Sequence, residues 1–128
     1  VARVGHLATA DGDGRPHCVP VVFVLWGDDI VIPIDRKPKR VAPERLARVR
    51  NLQANPAAAF VVDRYDEDWS RLQFVMAHGH GRFERELPAA LVRAFADKYE
   101  QYKIMPIDGV IRLAVERWSG WSGAAAAD

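Results

Sequence analysis

The stretch VGHLATADGDGRPHCVPVVFVL, residues 4–25, sets two segments of strand character around one turn. Asp11-Gly12-Asp13-Gly14 supports the positive backbone angles of a tight hairpin, so Val4–Ala10 and His17–Leu25 are expected to pair antiparallel. In the first segment Val4, His6, Ala8 and Ala10 face one way and Gly5, Leu7 and Thr9 the other. In the second, Pro20 marks an edge, a bulge or a strand start. Val21–Leu25 is continuously apolar, which predicts cover on both faces.

The same grammar continues along the chain. Gly27-Asp28-Asp29 is a turn, and Ile30–Asp35 a third strand interrupted by Pro33. Ala57–Tyr65 and Leu72–Glu84 read as the fourth and fifth strands, with Gly79 and Gly81 marking a bulge or sharp bend. Pro88 to about Tyr102 reads as a helix, with Leu91/Phe95 and Phe95/Tyr99 spaced i, i+4. Val110–Trp118 is the last strand, followed by a small-residue tail expected to be disordered beyond Gly123. The expectation is a mainly β protein: six mostly antiparallel strands and two helices in one domain, residues 1–123, with residues 124–128 as tail. Six such strands relieve their edges by closing into a barrel.

Composition narrows the classes. The chain has 128 residues, 49% hydrophobic and 27% charged, with a formal net charge of +1. That is enough for one core and is ordinary for a globular domain. No apolar run approaches the roughly 18–20 residues that span a bilayer. The first residues lack the apolar region of a secretory leader. The one cysteine, Cys18, excludes an intramolecular disulfide. A cytoplasmic protein without a membrane partner is expected.

Positive charge is concentrated in IDRKPKRVAPERLARVRNLQANP, residues 34–56. Pro38 bars a helix interior over Arg36–Arg40. Pro43 suits a first helical position and Asn55-Pro56 a stop. Leu46, Val49 and Leu52 share one helical face, with Arg48 and Arg50 on either side of it. Guanidinium groups around the rim of a docked stripe could hold a phosphate or a polyanionic tail; the alternative is a solvated basic face. Net charge near zero and the lack of interleaved aromatics argue against nucleic acid.

Common catalytic signatures are missing: there is no CxxC, HExxH, GxSxG, Walker A or GxGxxG. His78 and His80 share a strand face but lack a third metal ligand, so no metal is expected. Cys18, among apolar neighbours, is expected to be a buried inert thiol, and His6 a core or interface residue. Trp118 and Trp121 are either core anchors or flat surfaces for a ring system.

Gly5-His6-Leu7-Ala8-Thr9, then Pro20-Val21-Val22-Phe23, then Arg45-Leu-Ala-Arg48-Val-Arg50-Asn51-Leu52 and Asn55-Pro56 occur in the order and spacing of a known family. Over residues 4–63 the chain resembles the split β-barrel flavin and deazaflavin oxidoreductases related to pyridoxamine 5′-phosphate oxidase. Residues 34–40, with Tyr65–Trp69 downstream, look most like the actinobacterial coenzyme F420-dependent subgroup. The resemblance implies a homodimer with two cofactor sites at the subunit interface. It implies Pro20, Val21, Val22 and Phe23 beside the cofactor ring, and Arg48, Arg50 and Asn51 on its phosphate. Ile34 and Asp35 would line the ribityl chain, and Lys37, Lys39 and Arg40 would take the phosphate and the acidic tail that distinguishes coenzyme F420 from FMN. Trp69, Trp118 or Trp121 would come from the partner subunit to cover the ring. Met76-Ala77-His78 departs from relatives that carry a charge there.

The implied activity is hydride transfer between reduced deazaflavin and a small unsaturated or conjugated substrate. Hydride transfer needs few protein acids or bases. The proton donor stays open among His78, His80, Tyr65 and solvent. The alternatives are an FMN-dependent flavoprotein of the oxidase type and a non-catalytic flavin or tetrapyrrole binder.

Overall fold

The computed structural model describes residues 2–35 and 42–126. Seven strands form one antiparallel sheet: β1 (Gly5–Ala10), β2 (Pro16–Val21), β3 (Val24–Trp26), β4 (Asp29–Asp35), β5 (Ala57–Arg64), β6 (Gln73–Glu84) and β7 (Ile107–Ser122). Three helices accompany them: α1 (Ala47–Ala54), α2 (Ala89–Lys98) and the single turn α3 (Gly123–Ala126). The mainly β class expected from the sequence holds.

The first hairpin closes as its turn residues dictate. Gly14 adopts φ +83°, and the Asp11 carboxylate accepts the backbone N–H groups of Asp13 and Arg15, each at 2.9 Å. β1 and β2 then pair in register, Leu7 opposite Val19 and Thr9 opposite His17.

The strand expected over His17–Leu25 is broken in two, and this break decides the architecture. The sheet order is β2-β1-β5-β6-β7-β4-β3, so β2 and β3 form opposite edges although only Val22 and Phe23 separate them in the chain. The sheet must curl until these edges meet. They share no ladder; the α2 end fills the split instead. The Tyr99 hydroxyl accepts the Phe23 N–H at 3.1 Å and lies within donating distance of the Arg3 and Phe23 carbonyls, at 2.7 and 3.1 Å. This is why the second helix stops at Lys98, short of the expected Tyr102: Tyr99 is extended, at φ −126° and ψ 117°, and a 3-10 turn follows over Glu100–Lys103. Removing that hydroxyl strands a buried N–H, which typically costs about 1–3 kcal/mol. Tyr99→Phe is therefore expected to lower the stability measured by urea unfolding by that amount, with a secondary-structure spectrum like that of the parent.

The core has two parts. Inside the barrel Leu7, Phe23, Ile32, Phe60 and Leu113 pack together, with Phe23 edge-on to Phe60 at 4.8 Å between centroids. Outside it, Leu91 and Phe95 of α2 cover Val24, Val31 and Val110. Cover on both faces thus falls on β4, where Ile30, Ile32 and Ile34 point inward and Val31 lies under α2. The expectation for Val21–Leu25 fails at Leu25, which is 63% exposed. Cys18 is exposed and not buried, because edge strand β2 turns its Pro16, Cys18 and Pro20 positions outward. The bulge expected at the glycines lies between His78 and Gly79.

The last strand runs four residues past Trp118. Gly123 ends it by donating its N–H to the Leu72 carbonyl at 2.8 Å, and α3 follows where a tail was expected from residue 124. None of the described helices is long and apolar enough to cross a membrane.

Candidate functional site

α1 closes one end of the barrel. Val49 and Leu52 point into the core, and Leu52 packs on the bare backbone of Gly81. On an adjacent side of α1 Asn51 donates from Nδ2 to the Thr9 hydroxyl at 3.0 Å, which locks the helix to β1. Arg48, one turn earlier, is half-buried beside Asp35 at the end of β4. Its Nε is buried and has no hydrogen-bond partner among the described residues. Burial lowers the Arg48 pKa, and the Asp35 charge opposes that shift; arginine remains protonated in any case. No Asp35–Arg48 ion pair forms among the described residues; the Asp35 carboxylate accepts the Tyr102 hydroxyl. Burial first, and then that contact, push the Tyr102 pKa well above its usual value. Arg50, on the far side of the apolar stripe, is exposed. A half-buried cation with an unpaired buried N–H suits an anionic group such as a phosphate.

β2 supplies the second wall. As an edge strand it presents unpaired backbone donors and acceptors along its free side. Pro20 is exposed and Val22 half-buried, whereas the side chains of Val21 and Phe23 belong to the core. Ile34 likewise points into the core. From His17, opposite Thr9, to Val21 is four residues, or roughly 13 Å at the ~3.3 Å rise of a strand. Lys37, Lys39 and Arg40 lie outside the described residues.

The tryptophans part company. Register pairs Trp118 with Ala77, whose side chain is in the barrel core, and Trp121 with Phe74, which faces outward. Residues three apart on a strand point to opposite faces. Trp118 therefore lines a small cavity at the barrel mouth with Phe23 and Phe60, while Trp121 lines an outer depression of about 510 Å³ with His6, Val61, Phe74 and Met76. One subunit cannot stack both on one ring. Trp69 is 67% exposed in a turn just before β6. The α1-contacting Gly81 is eight residues beyond the first residue of β6, roughly 26 Å along the strand. Within one chain Trp69 does not meet Arg48.

Two residues escaped the sequence reading. His17 faces inward opposite Thr9, and its Nδ1 is buried without a partner among the described residues. Strand parity with Val19 and Val21 was the available signal. Tyr102, the partner of Asp35, had none, since 67 residues separate the two. Of the candidate proton donors, His80 Nδ1 contacts Glu116, and the exposed Tyr65 hydroxyl donates to Glu67 at 3.2 Å. Among the described residues no three of His, Cys, Asp and Glu converge as metal ligands.

A comparison with curated protein sequences found no significant match. Solved structures do resemble the fold. A conserved hypothetical protein from Mycobacterium tuberculosis is 19% identical, with a TM-score of 0.75 over 99% of this chain and 81% of that one. HutZ, the heme storage protein from Vibrio cholerae, is 14% identical, with a TM-score of 0.70 over 94% and 85%. An FAD binding protein from Mycobacterium smegmatis is 17% identical, with a TM-score of 0.61 over 94% and 84%. At such identities the likeness establishes the fold alone. The family model for pyridoxamine 5′-phosphate oxidase matches residues 2–122, nearly the whole chain. An antiparallel barrel split between β2 and β3, capped by an arginine-bearing α1 and matched end to end by that model, belongs to the pyridoxamine 5′-phosphate oxidase family.

Proposed function

We propose that this protein is an oxidoreductase that binds coenzyme F420 and moves a hydride between the reduced deazaflavin and a small unsaturated or conjugated substrate. The observation that carries the reading is Arg48, on the helix that follows the basic segment 36–41, whose buried Nε lacks a partner among the described residues. Arg48, Arg50 and Asn51 would hold the phosphate, and Lys37, Lys39 and Arg40 the acidic tail. The free edge of β2 at Pro20–Phe23 would meet the polar rim of the ring, with Asp35 near the chain between ring and phosphate. When bound, the cofactor supplies the hydride-carrying carbon; the protein binds, orients and excludes water. FMN is the alternative ligand of the same residues.

The outer face of β1, β5, β6 and β7 bears exposed Phe74 and Trp121 around its depression, and α1 and α2 pack elsewhere. That apolar area suits a second copy of the chain. A homodimer would also bring Trp69 or Trp121 of one subunit towards the cofactor of the other. A tetrapyrrole-binding reading draws on His6 within the same depression and on the heme storage protein among the structural relatives.

Titration with coenzyme F420, FMN and haemin separates these readings. We expect F420 to bind tightest, at two sites per particle of twice the 14.3 kDa chain mass. Lys37→Glu with Lys39→Glu should weaken F420 far more than FMN. Tight FMN binding without F420 binding sinks the deazaflavin reading, and haemin binding alone sinks both.

A further inference from the structure

The end of the barrel away from α1 holds a second cavity. Phe23, Ile30, Phe60, Val62, Val75 and Trp118 line a cavity of about 250 Å³ there, and among the described residues the one charged side chain in its wall is Lys98. That volume lies just below the ~300–1,000 Å³ of sites for drug-sized ligands. Lys98 reaches it from the last turn of α2. Its ammonium stands 3.7 Å from the Phe23 ring centroid and donates to the Phe23 carbonyl at 2.8 Å. An ammonium has three donors, and no second partner takes one among the described residues. The same carbonyl already has the Tyr99 hydroxyl at 3.1 Å.

Lys98 is not alone. The Arg3 guanidinium lies 4.8 Å from the Tyr99 ring centroid, and the Lys98 ammonium 5.3 Å from the same centroid. Among the described residues neither cation forms an ion pair with a carboxylate. Burial first, and then repulsion from Arg3, lower the Lys98 pKa. Lys98 thus stands in the wall of an apolar hollow, with a second cation, Arg3, at the same tyrosine ring and, among the described residues, no carboxylate paired with either, an arrangement that costs free energy until an anion arrives.

We infer that the barrel mouth binds a small apolar carboxylate, its acid group on the Lys98 ammonium in the field of Arg3 and its hydrocarbon body against Phe23, Phe60, Val75 and Trp118. Charge complementarity selects the acid over a neutral or cationic analogue, because a hydrogen bond between charged groups is about twice as strong as a neutral one. The site has Phe23 in common with the strand edge proposed to meet the cofactor ring, but neither Arg48 nor α1, so the Arg48→Met and Lys98→Met variants tell the two apart.

The test is calorimetric titration of the full chain with octanoate, octanol and octylamine, with tryptophan fluorescence as a second signal. Octanoate should bind saturably, octanol at least about tenfold more weakly and octylamine not at all. Lys98→Met should reduce octanoate to the level of octanol and leave octanol unchanged. Val75→Trp, a change at the half-exposed rim, should fill the hollow and abolish both while Lys98 stays intact. It keeps the proposal testable should Lys98→Met fail to fold. Arg48→Met should leave octanoate binding untouched. Equal binding of octanoate and octanol, full octanoate affinity in Lys98→Met or Val75→Trp, or no saturable octanoate binding by the folded parent would each overturn the proposal.

Discussion

Gly79→Ala is expected to destabilise the protein by about 3 kcal/mol or more, enough to abolish much of the stability of a domain this size. Gly79 lies at the β6–β7 bulge, where His78 pairs with Arg117 and Gly79 with Val115, so Glu116 is the extra residue on β7. A Cβ there would overlap the Ala114 carbonyl oxygen, with the carbonyl carbon at 2.9 Å and the Val115 Cα at 3.1 Å. These are backbone atoms and cannot rotate aside. Relief requires β6 and β7 to separate, which breaks the longest ladder in the sheet on both sides of the bulge. Gly81→Ala is the control. Its Cβ would meet the Leu52 methyls at 2.9 and 3.1 Å, the far end of a side chain that can shift, so its cost should stay near 1 kcal/mol. Urea unfolding followed by circular dichroism measures both. A Gly79→Ala protein as stable as Gly81→Ala would show that the bulge yields freely.

Arg48→Met should weaken cofactor binding by about tenfold to 150-fold, the equivalent of the ~1.5–3 kcal/mol typical of a hydrogen bond to a charged group. The same change should leave stability unaltered or slightly raised. Methionine keeps an apolar stem at this position of α1 and removes a guanidinium whose buried Nε has no partner among the described residues. Asp35 retains the Tyr102 hydroxyl, so no acid is stranded. The pair of readouts distinguishes a binding role from a structural one: spectral titration moves while the unfolding midpoint does not. Arg50→Met, at an exposed position, should cost less affinity because water screens that charge. Undiminished binding in folded Arg48→Met would place the anionic grip elsewhere.

Much of this was legible in the residues alone. Asp11-Gly12-Asp13-Gly14 fixed the first hairpin because the required backbone angles are local. The Leu91/Phe95 spacing gave α2, and the Val49/Leu52 spacing the inward face of α1, since helical periodicity is local as well. The placement of Arg48 and Arg50 beside that face followed from the same wheel, whereas Asn51 came from the family resemblance. The amino-acid order thus determined the mainly β class, the first hairpin and the inward faces of α1 and α2. The tertiary structure alone decided that β2 and β3 are opposite edges joined by Val22 and Phe23. It also decided that Tyr99 fills the split, that Tyr102 claims Asp35, and that Trp118 and Trp121 serve different cavities. Turns and amphipathic faces are written within a few residues, whereas these contacts join positions 67 to 96 residues apart or depend on a bulge register, and only closure of the whole sheet brings them together.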